Sequence, residues 1–201
     1  VVTTSSTSSR SQTGPPDRFA VVDVETSGLS IRRDRVIQVG VVIVDLSGSV
    51  IERWESLVRP RSRWFFRVGP TELHGIRRRD LVRAPALATV MGRLADDLRS
   101  SILVAHNAPF DVGFLRKAAH EASVDLPING ILCTLSLSRA LDPDRTMSHR
   151  LGAVCERYGV SLVRPHDALA DADATAAVLR PLLDAHGITT FDEVWAQSSP
   201  A

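Results

Sequence analysis

Phe19-Ala20-Val21-Val22-Asp23-Val24-Glu25-Thr26-Ser27-Gly28 decides the fold. Its β-branched and aromatic residues favour an extended strand, which Thr26-Ser27-Gly28 terminates. Side chains alternate along a strand, so Asp23 and Glu25 point to one side and Val22 and Val24 to the other. Two carboxylates side by side at a strand end repel each other, and partial burial raises one pKa. A divalent cation removes that cost. The alternative is a pair of unrelated, solvated acids. Against it, both interrupt an apolar strand on a face that would otherwise help fill a core.

Outward from this run, Val36 to Val44 is a second strand, Asp45-Leu46-Ser47-Gly48-Ser49 a turn and Val50 to Val58 a third strand. The short link predicts an antiparallel hairpin. Arg59 to Asp80 is irregular apart from a helical turn at Thr71 to Leu73. Ala84-Pro85 starts a helix with Leu87, Val90, Met91, Leu94 and Leu98 at helical spacing. Ile102 to Ala105 is a short buried strand, and Pro109 leads a helix from about Phe110 to His120. Asn129 to Thr134 forms another strand, followed by a turn through Asp142-Pro143-Asp144. A helix from His149 to Tyr158 buries Leu151, Val154, Cys155 and Tyr158. The last long helix runs from Pro165 or Asp167 to Ala185, with Leu169, Ala172, Ala176, Leu179 and Leu183 along one stripe. Three strands followed by alternating helix and strand predict an α/β domain with a mixed sheet. The expected organisation is a Ser/Thr-rich flexible leader at 1–17, one domain at 18–186 and an extension of undecided order at 187–201.

The 201 residues, 44% of them hydrophobic, suit one domain with a real core and exclude a wholly disordered or collagen-like chain. No stretch reaches the roughly 18 uninterrupted apolar residues of a membrane span. Val1-Val2-Thr3-Thr4-Ser5 has neither a basic nor an apolar signal region, so no signal peptide is expected. Cys133 and Cys155 are too few and too far apart for a zinc cluster or disulfide scaffold, and a reducing, cytoplasmic setting is the expectation. Lys117 is the only lysine among the 24 basic side chains. Between Arg59 and Arg83 eight arginines face only Glu72 and Asp80, a net +6 in a chain of net +1. Carboxylates that hold cations beside arginines that hold a phosphate backbone suit a metal-dependent enzyme on nucleic acid. A solvated arginine-rich loop is the plainer reading of the same charges.

Two further segments carry acids. In His106-Asn107-Ala108-Pro109-Phe110-Asp111, Asp111 falls in a first helical turn beyond a strand end, where α/β proteins place ligands; favouring the helix dipole is its other explanation. In His166-Asp167-Ala168-Leu169-Ala170-Asp171-Ala172-Asp173, a five-residue gap sets His166 and Asp171 about 140° apart on an ideal helix. They meet at one point if His166 belongs to the turn before the helix. His166 alone equally suits a capping or a packed histidine. Asp171 shares a stripe with Thr175, Val178 and Leu182, whereas Asp173 reads as solvated. Together these residues describe an oxygen-rich site suited to magnesium or manganese rather than zinc. Carboxylates around two metals plus one histidine are the parts of metal-assisted phosphodiester hydrolysis.

Val22-Asp23-Val24-Glu25-Thr26-Ser27-Gly28-Leu29, His106 to Asp111 and His166 to Asp171 resemble the three exonuclease motifs of the DEDDh family, which contains the proofreading epsilon subunit of bacterial DNA polymerase III. Smaller similarities at Arg59-Pro60, Thr71 to Ile76, Ser136 to Arg139 and His149 to Val160 extend the likeness from about Phe19 to Leu183. The resemblance implies a ribonuclease H-like fold, a mixed central β-sheet flanked by helices. It also implies 3′-to-5′ hydrolysis of DNA, preferring single-stranded ends and releasing nucleoside 5′-monophosphates. By the same resemblance Asp23 bridges two divalent ions (Mg2+ or Mn2+), Glu25 and Asp171 hold the ion that activates water, and Asp111 serves the second. His166 deprotonates or orients that water and places the chain in the histidine branch. Thr26 contacts the terminal sugar through its backbone, Leu29 packs on the last base, and His106, Asn107 and Phe110 line or brace the site. Cys133 stands where relatives often have aspartate. Arg61-Ser62-Arg63-Trp64-Phe65-Phe66-Arg67 is expected to extend the strand-binding surface or to anchor a lid or partner. An RNA-trimming exoribonuclease and a non-catalytic nucleic-acid-binding module are the competing functions. The partner is a nucleic acid with a 3′ end, DNA favoured over RNA, with no membrane. A polymerase partner is possible but not indicated, and with little chain after Pro200 a free-standing exonuclease is expected as readily as a polymerase subunit. Oligomeric state is left open.

Overall fold

The computed structural model describes residues 16–61 and 66–198. Most of the expected leader and Ser62 to Phe65 of the basic aromatic segment lie outside the described residues. Three strands come first: β1 (Arg18–Thr26), β2 (Val36–Val44) and β3 (Val50–Leu57). The short helices α1 (Thr71–His74) and α2 (Arg78–Val82) precede α3 (Leu87–Leu98). Then β4 (Ser101–Ala105), α4 (Ala108–Ala122), β5 (Ile131–Cys133), α5 (Thr134–Ala140), α6 (Leu151–Arg157), α7 (Ala168–Ala185) and α8 (Phe191–Gln197) complete the chain.

The sheet order is β3-β2-β1-β4-β5. β1 and β2, and β2 and β3, pair antiparallel, whereas β1 with β4 and β4 with β5 pair parallel. The hairpin reading of β2 and β3 holds, and the mixed sheet follows from the helical crossovers. β1 lies at the centre, and its two side-chain rows serve two cores. Ala20, Val22 and Val24 pack with Val39, Val41, Ile43 and Leu103 under α3 and α4. Phe19 and Val21 pack with Val42, Val44 and Val104 under the α6, α7 and α8 layer. Asp23 and Glu25 continue the second row, so they leave the sheet on the side that α7 covers.

α2, α5 and α8 were not anticipated. α1 and α2 are too short to show a period. In α5 (Thr134-Leu135-Ser136-Leu137-Ser138-Arg139-Ala140) apolar residues alternate with serine, a strand-like pattern that packing overrides. α8 carries a readable start signal: Thr190 Oγ1 accepts the Glu193 N–H at 3.3 Å and Glu193 Oε2 accepts the Thr190 N–H at 3.0 Å. Phe191 of α8 lies 5.0 Å from the Phe19 ring, and Val194 is fully buried.

One glycine sets how closely α7 approaches the sheet. Gly40 of β2 pairs with Asp23, and a Cβ there would lie 2.3 Å from the Ala168 carbonyl carbon and oxygen. Ala168, Ala172 and Ala176 keep the facing side of α7 thin. The obstruction is backbone, which cannot rotate away, so Gly40→Ala should cost about 3 kcal/mol. Calorimetry should find Tm lowered by roughly 10 °C, with any catalytic activity lost beyond that loss of fold because the start of α7 is displaced.

Candidate active site

Three elements deliver acids to the end of β1. Asp23 and Glu25 come from the strand itself. Asp111 lies in the first turn of α4, and its Oδ1 accepts the Val24 N–H at 3.3 Å, which ties the helix to the strand between the two acids. Asp171 lies in the first turn of α7. Each helix starts through a non-glycine residue in the left-handed region, Asn107 (φ 74°) before α4 and His166 (φ 67°) before α7. Such conformations cost free energy and persist only where packing imposes them. Here they aim the two helix starts at β1.

His166 stands in the turn ahead of α7, as required for it to meet Asp171 despite their helical angle. Its backbone N–H donates to Asp171 Oδ2 at 2.9 Å. One ligand atom each from Glu25, His166 and Asp171 lies within 4.8 Å of the others. Asp171 Oδ1 is buried with no hydrogen-bond partner, an arrangement costly for a carboxylate oxygen unless a cation meets it. Asp173 is not in this group; it pairs with Arg53 at 2.6 Å on the surface.

The acids hold their protons strongly. Burial, then Asp111, Asp171 and Glu25, push the Asp23 carboxyl well above its ordinary range. Burial takes Asp111 up to about 8, and burial with the neighbouring Asp171 and Asp167 takes Glu25 up to about 7. Asp171 is raised too, chiefly by burial, while the His166 N–H opposes the rise. This hard-oxygen set with one histidine fits a divalent cation such as magnesium or manganese.

Around the acids, Thr26 is buried, its Oγ1 donating to the Gly28 carbonyl at 2.7 Å, while Leu29 is 85% exposed. Asn107 is exposed, and Phe110 is half-buried with its ring 4.9 Å from Phe114. His106 braces rather than reaches out. Its Nε2 donates to the His149 carbonyl at 3.0 Å, and its Nδ1 meets the Thr134 hydroxyl at 3.0 Å. An open cleft runs from His166 and Asp171 between Asn107, Arg139, Arg145 and Arg150.

Several contributors escaped the sequence reading. Asp167 caps α7 by accepting the Ala170 N–H at 3.1 Å and adds to the field on Glu25 and Asp23; its place before an alanine-rich helix was a usable signal. Buried His149 links Asp142 Oδ2 at 3.1 Å to Ser138 Oγ at 2.9 Å, holding the cleft wall. Nothing local marks that triad. Buried His74 accepts the Ile76 N–H on Nδ1 at 3.1 Å.

With this geometry established, the chain was compared with known proteins. Residues 20–179 match the family described as Exonuclease (RNase_T). A PolC-type DNA polymerase III of Clostridium perfringens is 32% identical over 184 residues, covering 88% of this chain and 12% of the polymerase. The chain thus spans only about an eighth of that relative. The zinc-bound complex of Escherichia coli exonuclease I with single-stranded DNA superposes with a TM-score of 0.76 at 22% identity, over 90% of this chain and 43% of that one. A 3′-exonuclease that recognises the end of a histone mRNA stem-loop superposes with a TM-score of 0.73 at 16% identity, over 88% of this chain and 85% of the other. The fold is the ribonuclease H-like one expected.

The raised carboxyls make stability depend on pH. Unfolded, these groups titrate near 4; folded, Glu25 and Asp111 titrate near 7 and 8. Between those values the folded chain binds more protons, so its stability falls as pH rises. In chelator, Tm should drop by several degrees from pH 5 to pH 8, and Asp111→Asn should flatten the slope. A Tm independent of pH across that window contradicts the clustering.

Proposed function

The chain belongs to the exonuclease family, and from that premise we propose that it removes nucleotides from the 3′ end of DNA, preferring single-stranded ends, by metal-dependent hydrolysis. The observation that carries the reading is the gathering of Asp23, Glu25, Asp111 and Asp171 with His166 at one end of β1. Asp23, Glu25, Asp111 and Asp171 would hold two divalent ions, magnesium or manganese. Bound there, the ions lower the pKa of the attacking water and offset charge on the departing oxygen.

The side chains supply position and proton movement. His166 is exposed at the cleft edge with its ring beside Glu25 and Asp171, placed to take a proton from water as that oxygen attacks the terminal phosphodiester. The bond from phosphorus to the penultimate 3′ oxygen breaks. The shortened strand leaves with a 3′ hydroxyl after gaining a proton from solvent, and a nucleoside 5′-monophosphate is released. The Thr26 backbone would meet the terminal sugar. Leu29, exposed and apolar, would stack on the last base without reading its edge, which predicts slight sequence preference. His106 and Phe110 hold the loop that starts α4, and Asn107 lines the cleft.

DNA is favoured because the polymerase relative bears that name and the superposed exonuclease I holds single-stranded DNA. The histone mRNA exonuclease keeps RNA as the second reading. Incubation of 5′-labelled single-stranded DNA, duplex DNA and RNA with magnesium or manganese tests both. Stepwise release of 5′-monophosphates, fastest from single-stranded DNA and absent in chelator, is the expected result. Asp111→Asn and Asp171→Asn should lower turnover at least roughly a thousandfold, and His166→Gln by about 100- to 10,000-fold. Faster RNA trimming transfers the assignment to RNA, and binding without cleavage defeats the enzymatic reading.

A further inference from the structure

Several arginines on this surface are paired with acids. Arg18 meets Asp17, Arg53 meets Asp173, Arg93 meets Glu52, Arg99 meets Asp96, Arg164 meets Asp167 and Arg180 meets Asp184, each within hydrogen-bond reach. In the stretch between β3 and α3, Arg79 lies 3.7 Å from Asp80, but three other arginines have no such partner. Arg59, Arg61 and Arg83 are exposed, and no acid lies against any of them among the described residues. The three are not scattered. Arg59, Pro60, Arg61, Val82 and Arg83 line one recess, and Arg59-Pro60-Arg61 also wall an adjoining crevice with Arg35, Val36 and Lys117. The single acid of that crevice, Glu121, is engaged by Lys117 at 3.6 Å. Like charges packed this way repel one another.

The crevice opens at the end of the sheet that bears the acids. Val36 on its wall pairs with Thr26, and the Arg35 carbonyl accepts the Ser27 N–H at 2.9 Å. Phe114 and Lys117 on the other wall belong to α4, one and two turns beyond Asp111. The basic surface thus starts beside the proposed terminal-nucleotide site and leads away from it past β3. Its position is fixed by backbone: Arg59 N–H donates to the Pro85 carbonyl at 2.9 Å, and Arg59 bridges Ala86 ahead of α3.

We propose that Arg59, Arg61 and Arg83 form a second nucleic-acid contact that binds phosphodiesters several nucleotides away from the reacting 3′ end. Guanidinium groups suit this ligand because each presents a planar fork of donors to phosphate oxygens. The contact is indifferent to base identity. The phosphates belong either to the 5′ continuation of the digested strand or to its complement. The proposal rests on the exonuclease reading for its meaning, but binding can be measured without hydrolysis.

The test replaces Arg59, Arg61 and Arg83 together by glutamine and compares this triple variant with one in which the paired Arg18, Arg93 and Arg99 are replaced. Fluorescence anisotropy in chelator gives the affinity for single strands of 4 and 20 nucleotides and for a duplex of 20 pairs. The expected result is an affinity for long ligands lowered roughly tenfold at low salt, with the 4-nucleotide ligand unaffected. The salt slope for the single strand should fall by about 2, the value for three released phosphate contacts. A loss on the long single strand identifies the 5′ continuation, and a loss confined to the duplex identifies the complement. Equal losses in the two triple variants, equal losses on short and long ligands, or no loss at all overturn the proposal. Hydrolysis by the wild type is scored separately, so an inactive protein that still shows the length-dependent loss defeats the catalytic reading alone.

Discussion

Four carboxylates held close together, largely out of water, are the constraint the rest of this fold accommodates. Left to themselves they would separate or stay protonated, as the upward shifts of Asp23, Glu25 and Asp111 express. The fold opposes this with rigid backbone. β1 pairs with β2 through both acids, Asp23 opposite Gly40 and Glu25 opposite Gln38, which holds them to the sheet. Val24 gives a backbone N–H to Asp111 of the facing α4, and His166 gives one to Asp171 of the helix it precedes. Asp111 and Asp171 both sit in first helical turns, so two helix N-termini direct their positive ends at the cluster. These dipoles offset part of the repulsion, and a bound cation would offset the remainder.

Much of this was legible because it depends on local periodicity. The alternation in β1 placed Asp23 and Glu25 on one face, and the bounds of β2 matched its apolar run from Val36 to Val44. The helical angle between His166 and Asp171 correctly required His166 to lie before α7, and Asp173 proved to be a surface residue. What could not be read depends on packing rather than on local pattern. Gly40 looks like any strand glycine until Ala168 is set against it. The Asp142, His149 and Ser138 linkage joins polar residues whose burial no local pattern announces. α5 was hidden because its leucines alternate with serine, and packing rather than pattern makes it a helix.

Positioning here works through positive φ as well as through packing. A left-handed residue turns the chain sharply without needing a long loop, and glycine is its usual occupant. At the starts of α4 and α7 the residues are Asn107 and His166 instead. A glycine at either place would be less strained, but it would remove a side chain from the site's edge. At position 166 that side chain is, among the described residues, the one imidazole in the acid cluster. The strain is thus tolerated where the side chain itself is needed.

On the proposed reading, catalysis and substrate choice fall to different parts of the chain. There the acid cluster would act on phosphorus and oxygen, atoms that DNA and RNA share at the scissile bond, and would favour neither polymer. Discrimination would then come from what lies outside it: the exposed Leu29, the Thr26 backbone and the arginines along the cleft and beyond β3. A stacking side chain and unpaired guanidinium groups respond to strand flexibility and phosphate spacing more than to base edges. Such a surface separates substrates by shape and length. It also explains why the acids' positions could be inferred from spacing while the polymer could not: the acids answer to one geometry, whereas arginines of equal charge do different work according to whether an acid lies beside them.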